Sequence, residues 1–410
     1  MTLDLVIRDA RIEGAREACD IGISNGRIAG IAPAIASEAR VIEGRGRMVC
    51  CGFVETHIHL DKSRLCDRCA AAGSLADSIA LVSKLKKEMS EEDIYDRARR
   101  TLEQAILQGT MRMRTHVEID PRIGLRSFDA IRRLKRDYAW AIDLQICIFP
   151  QEGLTNDPGA EELLIKACEN GADLIGGCPY TDSDPDAQVD RIFEIARRYD
   201  LDVDFHLDFD LDPSAMTLDK VCRATEAAGW GGRVAVGHVT KLSAISESDI
   251  RAIGRRLADA GVAVTVLPST DLFLMGRSAG GNRPRGVAPA HSLQAEGVTC
   301  SIATNNVRNP FTPFGDCSLV RMANLYANVA QLGSDDELAC CWRMISNDAA
   351  RLMRLEDYGA KVGAPADLLL VDVDNPAEMI ATITAPALGL KRGCETFHRP
   401  TPELLPPTAR

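Results

Sequence analysis

Short apolar segments alternate with longer amphipathic ones through most of the chain. The apolar segments lie near residues 49–57, 110–118, 142–149, 173–178, 202–208, 233–239, 262–267 and 298–304. Runs of that length bounded by turn residues predict buried strands. Helical spacing fills the intervals, most clearly from Glu91 to Ile106, Ala160 to Glu169, Val189 to Arg198, Leu218 to Ala228 and Asp249 to Ala260. Eight such units close a parallel barrel, and no Gly-rich strand-to-helix loop of the dinucleotide or Walker type interrupts them. The expected fold is α/β, a (β/α)8 barrel of the TIM type over residues 52–357.

The two ends read differently. Leu3 to Val6, Ile12, Cys19 to Ile23, Ile28 to Ile31, and Val41 with Ile42 are short apolar or period-two pieces separated by Gly, Asn and Asp. That is the pattern of a small antiparallel sheet, too meagre to bury a core alone. It returns where the segment Gly363 to Asp367 leads into the apolar run Leu368 to Val373. Residues 1–51 and 358–410 are therefore expected to form one composite β-sandwich domain, with a C-terminal tail.

Composition narrows the class. A chain of 410 residues with 46% hydrophobic and 26% charged residues can bury a large core. A formal charge of -11 argues against a duplex-binding surface, and 5% aromatic residues without basic interleaving argue against a nucleic-acid channel. A small-molecule substrate is the better expectation. The first residues lack an apolar signal-peptide core, and no run approaches the roughly 18 apolar residues of a spanning helix. Fourteen irregularly placed cysteines, several inside apolar runs such as Gln145 to Phe149, read as reduced buried thiols. A cytoplasmic enzyme without nucleic-acid or membrane partners is expected, as a homo-oligomer by the general habit of soluble enzymes. The apolar stretch Leu319 to Leu332 could face a neighbouring subunit, although packing on the barrel suits it better.

Seven histidines occur, and four fall at the ends of predicted strands, where parallel barrels carry their active sites. His57 and His59 stand two apart at the end of the first strand, so they point the same way and can reach one ion. His206 ends the fifth strand and His238 the sixth. His116, late in the second, suits either the inner rim or a packed, hydrogen-bonded position. A polar barrel mouth accounts for one such histidine; four of them, with one pair at ligand spacing, point to a metal site.

The ordered motifs around these histidines are GFVETHIHLDK from Gly52, RTHVEIDP from Arg114, FPQEGL from Phe149, GHVTKL from Gly237 and TNNVRNPFTPFG from Thr304. With the split β domain, they resemble the amidohydrolase superfamily, and within it the cytosine deaminase-like group that includes s-triazine amidohydrolases. The resemblance implies one divalent ion, zinc first with iron or manganese as alternatives, held by His57, His59 and His206. It implies water activated for attack on an amidine carbon of a small cyclic nitrogenous substrate. His238 then contacts the attacking oxygen or the developing oxyanion, and Gln151 reads the polar edge of the ring. The fourth strand, Asp173 to Cys178, offers no lysine of the kind that is carbamylated in two-metal members.

Two positions depart from the group's pattern. The strand-eight aspartate, a metal ligand and proton acceptor, is Asn305 here, at most a weak oxygen ligand. The glutamate three residues after the strand-five histidine is Phe209. An amide is no carboxylate base, and phenyl transfers no proton. Zinc held by three neutral imidazoles still brings a bound water to a pKa of about 7, so a nucleophile remains available. Asp208, of the same parity as His206, and Asp61, two beyond His59, are the expected replacement acids.

Lys62, Arg277, Arg283, Arg285 and Arg308 fall in predicted loops of an acidic chain, which suggests attraction of an anionic ring. Lys62 also matches a lysine of triazine-hydrolysing relatives. Gln151, Lys62, Asn306 and Arg308 are the candidate substrate contacts. The expected activity is hydrolysis of a C–N bond in a small cyclic amidine or amide, foremost deamination of a pyrimidine- or triazine-like ring. Ring opening of a cyclic amide and a non-catalytic metal-binding role are the alternatives.

Overall fold

Strands buried on both faces read as near-continuous apolar runs, and Thr110–Glu118 is buried at all nine positions. The structure, a computed structural model, describes residues 2–70, 73–400 and 402–405; the end of the expected tail lies outside the described residues. Two units divide the chain, one formed by the residues up to Gly52 together with those from Asp357 on, the other by Phe53–Glu356. Among the described residues, no helix is long and apolar enough to cross a membrane.

The first unit opens with β1 (Leu5–Ile12), β2 (Cys19–Ser24), β3 (Arg27–Ala32), β4 (Arg40–Glu43) and β5 (Met48–Cys51). The second unit carries β6 (Phe53–Ile58), β7 (Thr110–Glu118), β8 (Asp143–Phe149), β9 (Leu174–Ile175), β10 (Asp202–Leu207), β11 (Val234–His238), β12 (Val262–Val266) and β13 (Cys300–Ile302). The chain then returns to the first unit with β14 (Leu368–Val371), β15 (Leu388–Lys391) and β16 (Cys394–His398).

The eight strands of the second unit pair in chain order, all parallel. Closure comes just past β13. Asn305 donates its backbone N–H to the His57 carbonyl at 2.8 Å and accepts the His59 N–H at 2.9 Å. The helices of this unit are α1 (Leu75–Lys86), α2 (Glu91–Leu107), α3 (Arg126–Asp137), α4 (Ala160–Glu169), α5 (Pro185–Tyr199), α6 (Leu218–Ala228), α7 (Glu247–Ala260), α8 (Pro268–Leu274), α9 (Ala290–Ala295) and α10 (Leu319–Ala330), with two more before Glu356. α5 starts four residues before the expected Val189. Asp184 caps it through the Ala187 N–H, and Pro185 takes the first position, where a missing N–H costs nothing. α10 turns Leu319, Val320, Met322, Ala323, Tyr326 and Ala327 inward, the packing role preferred for this stretch.

One strand is shorter than its apolar run. β9 has two residues where 173–178 was expected, because Gly176 and Gly177 press against their neighbours. A Cβ on Gly176 would stand 1.9 Å from the Asp204 carbonyl oxygen, and one on Gly177 2.5 Å from Gln188 Oε1. Glycine there permits a close backbone approach at the expense of a regular ladder.

The first unit is a mixed sheet, not the antiparallel one expected of its N-terminal pieces. β1 is long enough to serve two parallel partners, β4 along Leu5 to Arg8 and β5 at Arg11 and Ile12. Gly44 makes the switch possible, since a Cβ there would meet the Arg8 carbonyl at 2.7 Å. β2 and β3 add antiparallel strands, and β14 pairs antiparallel with β5. Both chain ends therefore share one sheet over a core that includes Ile7, Ile21, Ile23, Val49, Leu368 and Leu390.

Gly176→Ala tests the close approach. Its Cβ can be accommodated only by moving backbone, so the urea midpoint should fall by the equivalent of about 2 kcal/mol. Gly30→Ala, where a Cβ meets nothing within 4 Å, should shift it by less than about 0.5 kcal/mol.

Candidate functional site

Alternate residues of a barrel strand face inward, and three strands put polar residues at those positions. β6 supplies Glu55 and His57, with His59 just beyond; β7 supplies Arg114, His116 and Glu118; β10 supplies Asp204 and His206. All eight are buried. The Nε2 atoms of His57 and His59 each lie 3.1 Å from Nε2 of His206. Gly237 of β11 leaves room for this, because a Cβ there would stand 3.1 Å from the His57 ring.

Burial is the largest cause that holds His57, His59 and His206 well below the usual histidine range; nearby imidazoles add to it, as does Lys62 for His59. The three rings are therefore neutral, with lone pairs to offer. A tetrahedral ion with bonds of about 2.05 Å sets its ligand atoms about 3.3 Å apart, close to the two spacings to His206. The residues fit a divalent ion. The buried side-chain oxygen and nitrogen of Asn305 have no hydrogen-bond partner among the described residues, as suits a weak ligand beside that position.

Ligating histidines commonly donate their second ring nitrogen to an outer acceptor. Here Nδ1 of His57, His59 and His206 has none among the described residues. Stacking sets the ring planes instead: His116 lies on His57 with centroids 3.8 Å apart, and Phe149 lies on His206 at 4.5 Å. His116 also sets its Nε2 3.6 Å from Asp204, so that His57, His116 and Asp204 form a further group able to hold an ion, while Arg114 bonds the other oxygen of that carboxylate at 2.7 Å.

His238 forms an alternative ligand trio with His57 and His206, but its ring stands farther off. Its centroid lies 6.0 and 5.8 Å from theirs, against 4.6 to 5.4 Å within the His57, His59 and His206 set. Its Nδ1 contacts Asp271 Oδ1 at 2.6 Å, and Phe209 stacks on the ring at 3.7 Å. Asp271, in α8 and wholly buried, is pushed up by burial, with His238 opposing. Sequence reasoning missed it. The available signal was a lone acid in the first turn of a short helix directly after β12.

On the other flank, Lys62 Nζ contacts Glu118 at 2.6 Å and Gln151 Oε1 at 3.1 Å. Gln151 Nε2 reaches Cys178 Sγ at 3.4 Å. Lys86, also unforeseen, places its ammonium within 2.5 to 2.7 Å of Glu118, Asp120 and Glu152. Those three carboxylates could in principle hold a cation, and the lysine is that cation. Burial alone would raise Glu118, but Lys62 and Lys86 overcome it and hold it below the usual range.

Each remaining candidate has a partner in the structure. The two oxygens of Asp61, expected to move protons, accept the backbone N–H groups of Lys62 and Glu118 and tie two strand ends together. Asp208 gives one oxygen to the Thr217 N–H at 2.9 Å, which ties it to the start of α6. Asn306 accepts from the Asn309 amide at 2.6 Å. Arg308 is half-exposed and faces Asp67 at 3.6 Å. Arg283 and Arg285 donate to backbone carbonyls at exposed positions. Of the basic residues expected to draw an anionic ring, Lys62 is buried beside the histidines, and Glu118 already matches its charge.

The profile of the amidohydrolase family matches residues 148–393. The chain belongs to the amidohydrolase family. It is an enzyme of carbon–nitrogen bonds other than peptide bonds, from a family that depends on metal. A 5-methylcytosine deaminase from Klebsiella pneumoniae, solved with 5-fluorocytosine, has a TM-score of 0.93 at 27% identity and covers 98% of this chain and 99% of its own. The pterin deaminase of Rhizobium rhizogenes is 30% identical over 391 residues, 93% of this chain and 88% of that one. The N-isopropylammelide isopropyl amidohydrolase of Pseudomonas sp. is 27% identical over 384 residues, 91% of this chain and 92% of that one.

Metal analysis separates the two all-histidine trios in this amidohydrolase. His57→Ala, His59→Ala and His206→Ala should each purify with bound metal reduced by at least tenfold, whereas His238→Ala should keep near-stoichiometric metal. Full occupancy in the first three variants excludes their ligand role. A second variant tests the charge cluster: Lys86→Met leaves buried Glu118 and Asp120 and part-buried Glu152 with only Lys62 and Arg122 as partners and should cost about 3 kcal/mol in chemical denaturation.

Proposed function

We propose that this amidohydrolase removes an exocyclic amine from a small pyrimidine- or triazine-like ring by hydrolysis. The observation that carries the reading is the trio His57, His59 and His206 set beside the His238 and Asp271 pair at the C-terminal mouth of the barrel. The names of the relatives, deaminases of 5-methylcytosine and pterin and an amidohydrolase of N-isopropylammelide, support the same substrate class.

Held by His57, His59 and His206, a divalent ion such as zinc supplies Lewis acidity and lowers the pKa of a water. Proton movement falls to His238. Asp271 fixes its Nδ1 and stabilises the charged imidazole, which leaves Nε2 to accept a proton and pass it to the departing amine. Gln151 orients the ring. Its Oε1 is held by Lys62, and its amide N–H groups, which meet Cys178 Sγ and the Tyr180 hydroxyl, would exchange one of these partners for a ring carbonyl or ring nitrogen. Lys62 uses two of its three N–H groups on Glu118 and Gln151 and offers the third at the ring edge.

Metal-reconstituted protein incubated with cytosine-, pterin- and triazine-type rings should release ammonia or amine while the ring stays closed. Ring opening without amine release, or no turnover across the panel with zinc, iron and manganese, overturns the reading. Asp271→Asn should lower kcat by at least about 10²-fold with metal content unchanged, the usual worth of acid–base catalysis. Asn305→Asp keeps the side-chain shape and adds an anionic ligand, so it should retain metal against a chelator severalfold longer than the wild type.

A further inference from the structure

A cavity of 680 Å³ opens beyond the histidines. Its apolar wall is built by Leu75 and Ile79 of α1, Phe209 and Leu211 after β10, and Leu274 and Met275 at the end of α8. Two residues tie it to the site described above. Phe209 lies against the cavity and stacks on His238 at 3.7 Å. Tyr180 lines it too and hydrogen-bonds Gln151 and Cys178. The charged groups at its edge are turned to partners of their own: Asp210 to Lys241 at 3.2 Å, and Arg277 onto the Phe273 ring at 4.8 Å and its carbonyl at 3.2 Å.

This volume falls in the range that encloses drug-sized ligands, well beyond a bare six-membered ring. An apolar wall penalises amino or carbonyl substituents, which would lose hydrogen bonds to water without replacement. We infer that the substrate is a heterocycle bearing an apolar substituent of several carbons, with its ring at Gln151 and the histidines and its substituent in the cavity behind Phe209. The placement of the ring rests on the proposed deamination; the apolar subsite rests on the cavity itself. Phe209 has a positive task in this arrangement, as the wall shared by the reacting centre and the substituent.

The test is a size series. Cytosines carrying hydrogen, methyl, isopropyl or cyclohexyl, on ring carbon in one arm and on the exocyclic amine in the other, are compared by kcat/KM and by calorimetric Kd on the zinc-loaded enzyme. In at least one arm Kd should tighten about fourfold per added methylene, and that arm identifies the attachment point. The slope should flatten in Leu211→Asp and in Ile79→Asp, two variants on separate elements; thermal transitions show which remain folded. Flat or inverse dependence in both arms overturns the subsite, even where amine is released. A steep dependence in both folded variants overturns its location. Tightening affinity without turnover leaves the subsite standing and removes the deaminase reading.

Discussion

The histidine cluster exists because the barrel closes where it does. Asn305 gives its N–H to His57 and takes that of His59, so the seam of the ring runs through the pair of histidines on β6. It does so with φ of 63°, a left-handed conformation that asparagine and aspartate tolerate better than most residues. Glu55 adds a second tie below, accepting the N–H groups of Thr304 and His57. Burial raises its pKa to about 7, with the bonds from Thr304 opposing. The backbone task of position 305 is met by asparagine and aspartate alike. An amide can therefore replace a carboxylate there without opening the barrel, and the change is confined to chemistry.

A polar interior must also satisfy itself, since an isolated buried charge is costly. The strands do this laterally. Arg114 of β7 meets Asp204 of β10, and Glu118 of β7 meets Lys62 past β6 and Lys86 from α1. Such pairs add little net stability, because desolvation cancels much of the attraction, but a partner displaced from one of them is expensive. They act as locators. Lys86 pins the end of α1 to the strand ends, and α1 carries the Leu75 and Ile79 side of the cavity; Lys62 in turn fixes the carbonyl end of Gln151.

Much of this was legible in the sequence, for physical reasons that also mark where legibility stops. Apolar runs gave the strands because parallel strands are buried on both faces, and period two gave the shared direction of His57 and His59. β9 broke the rule because Gly176 and Gly177 add apolar-looking length while pressing the backbone off its ladder. Parity told that Asp61 and Asp208 could face the mouth, but not that backbone N–H groups already claim both oxygens of Asp61 and one of Asp208. Lys86 was hidden because a lysine in the last turn of an amphipathic helix normally faces water. Asp271 belongs to a short helix with no periodic signal, and its partner His238 is 33 residues away. Pairings of that kind are set by the closed ring, not by any local pattern. The mixed sheet of the first unit was unreadable for a similar reason: nothing in β1 announces that its two halves serve different parallel partners.

The two departures at 305 and 209 act together on the proposed reaction. Both replace an expected acid by an uncharged group, so a divalent ion held by His57, His59 and His206 beside Asn305 would have no acidic ligand to compensate its charge. Phe149 and Phe209, stacked on His206 and His238, make the surroundings apolar, which would strengthen the pull of such a charge on negative charge developing at a reacting carbon. The same two replacements remove the carboxylates that would share out the protons. Acceptance and delivery then fall on one imidazole, and a buried imidazole can take a proton only if something pays its desolvation. Asp271 at 2.6 Å from Nδ1 is that compensation. A carboxylate on the far side of His238 thus does from behind what the missing acids would do in front, and the front is left free for an apolar group to lie against Phe209.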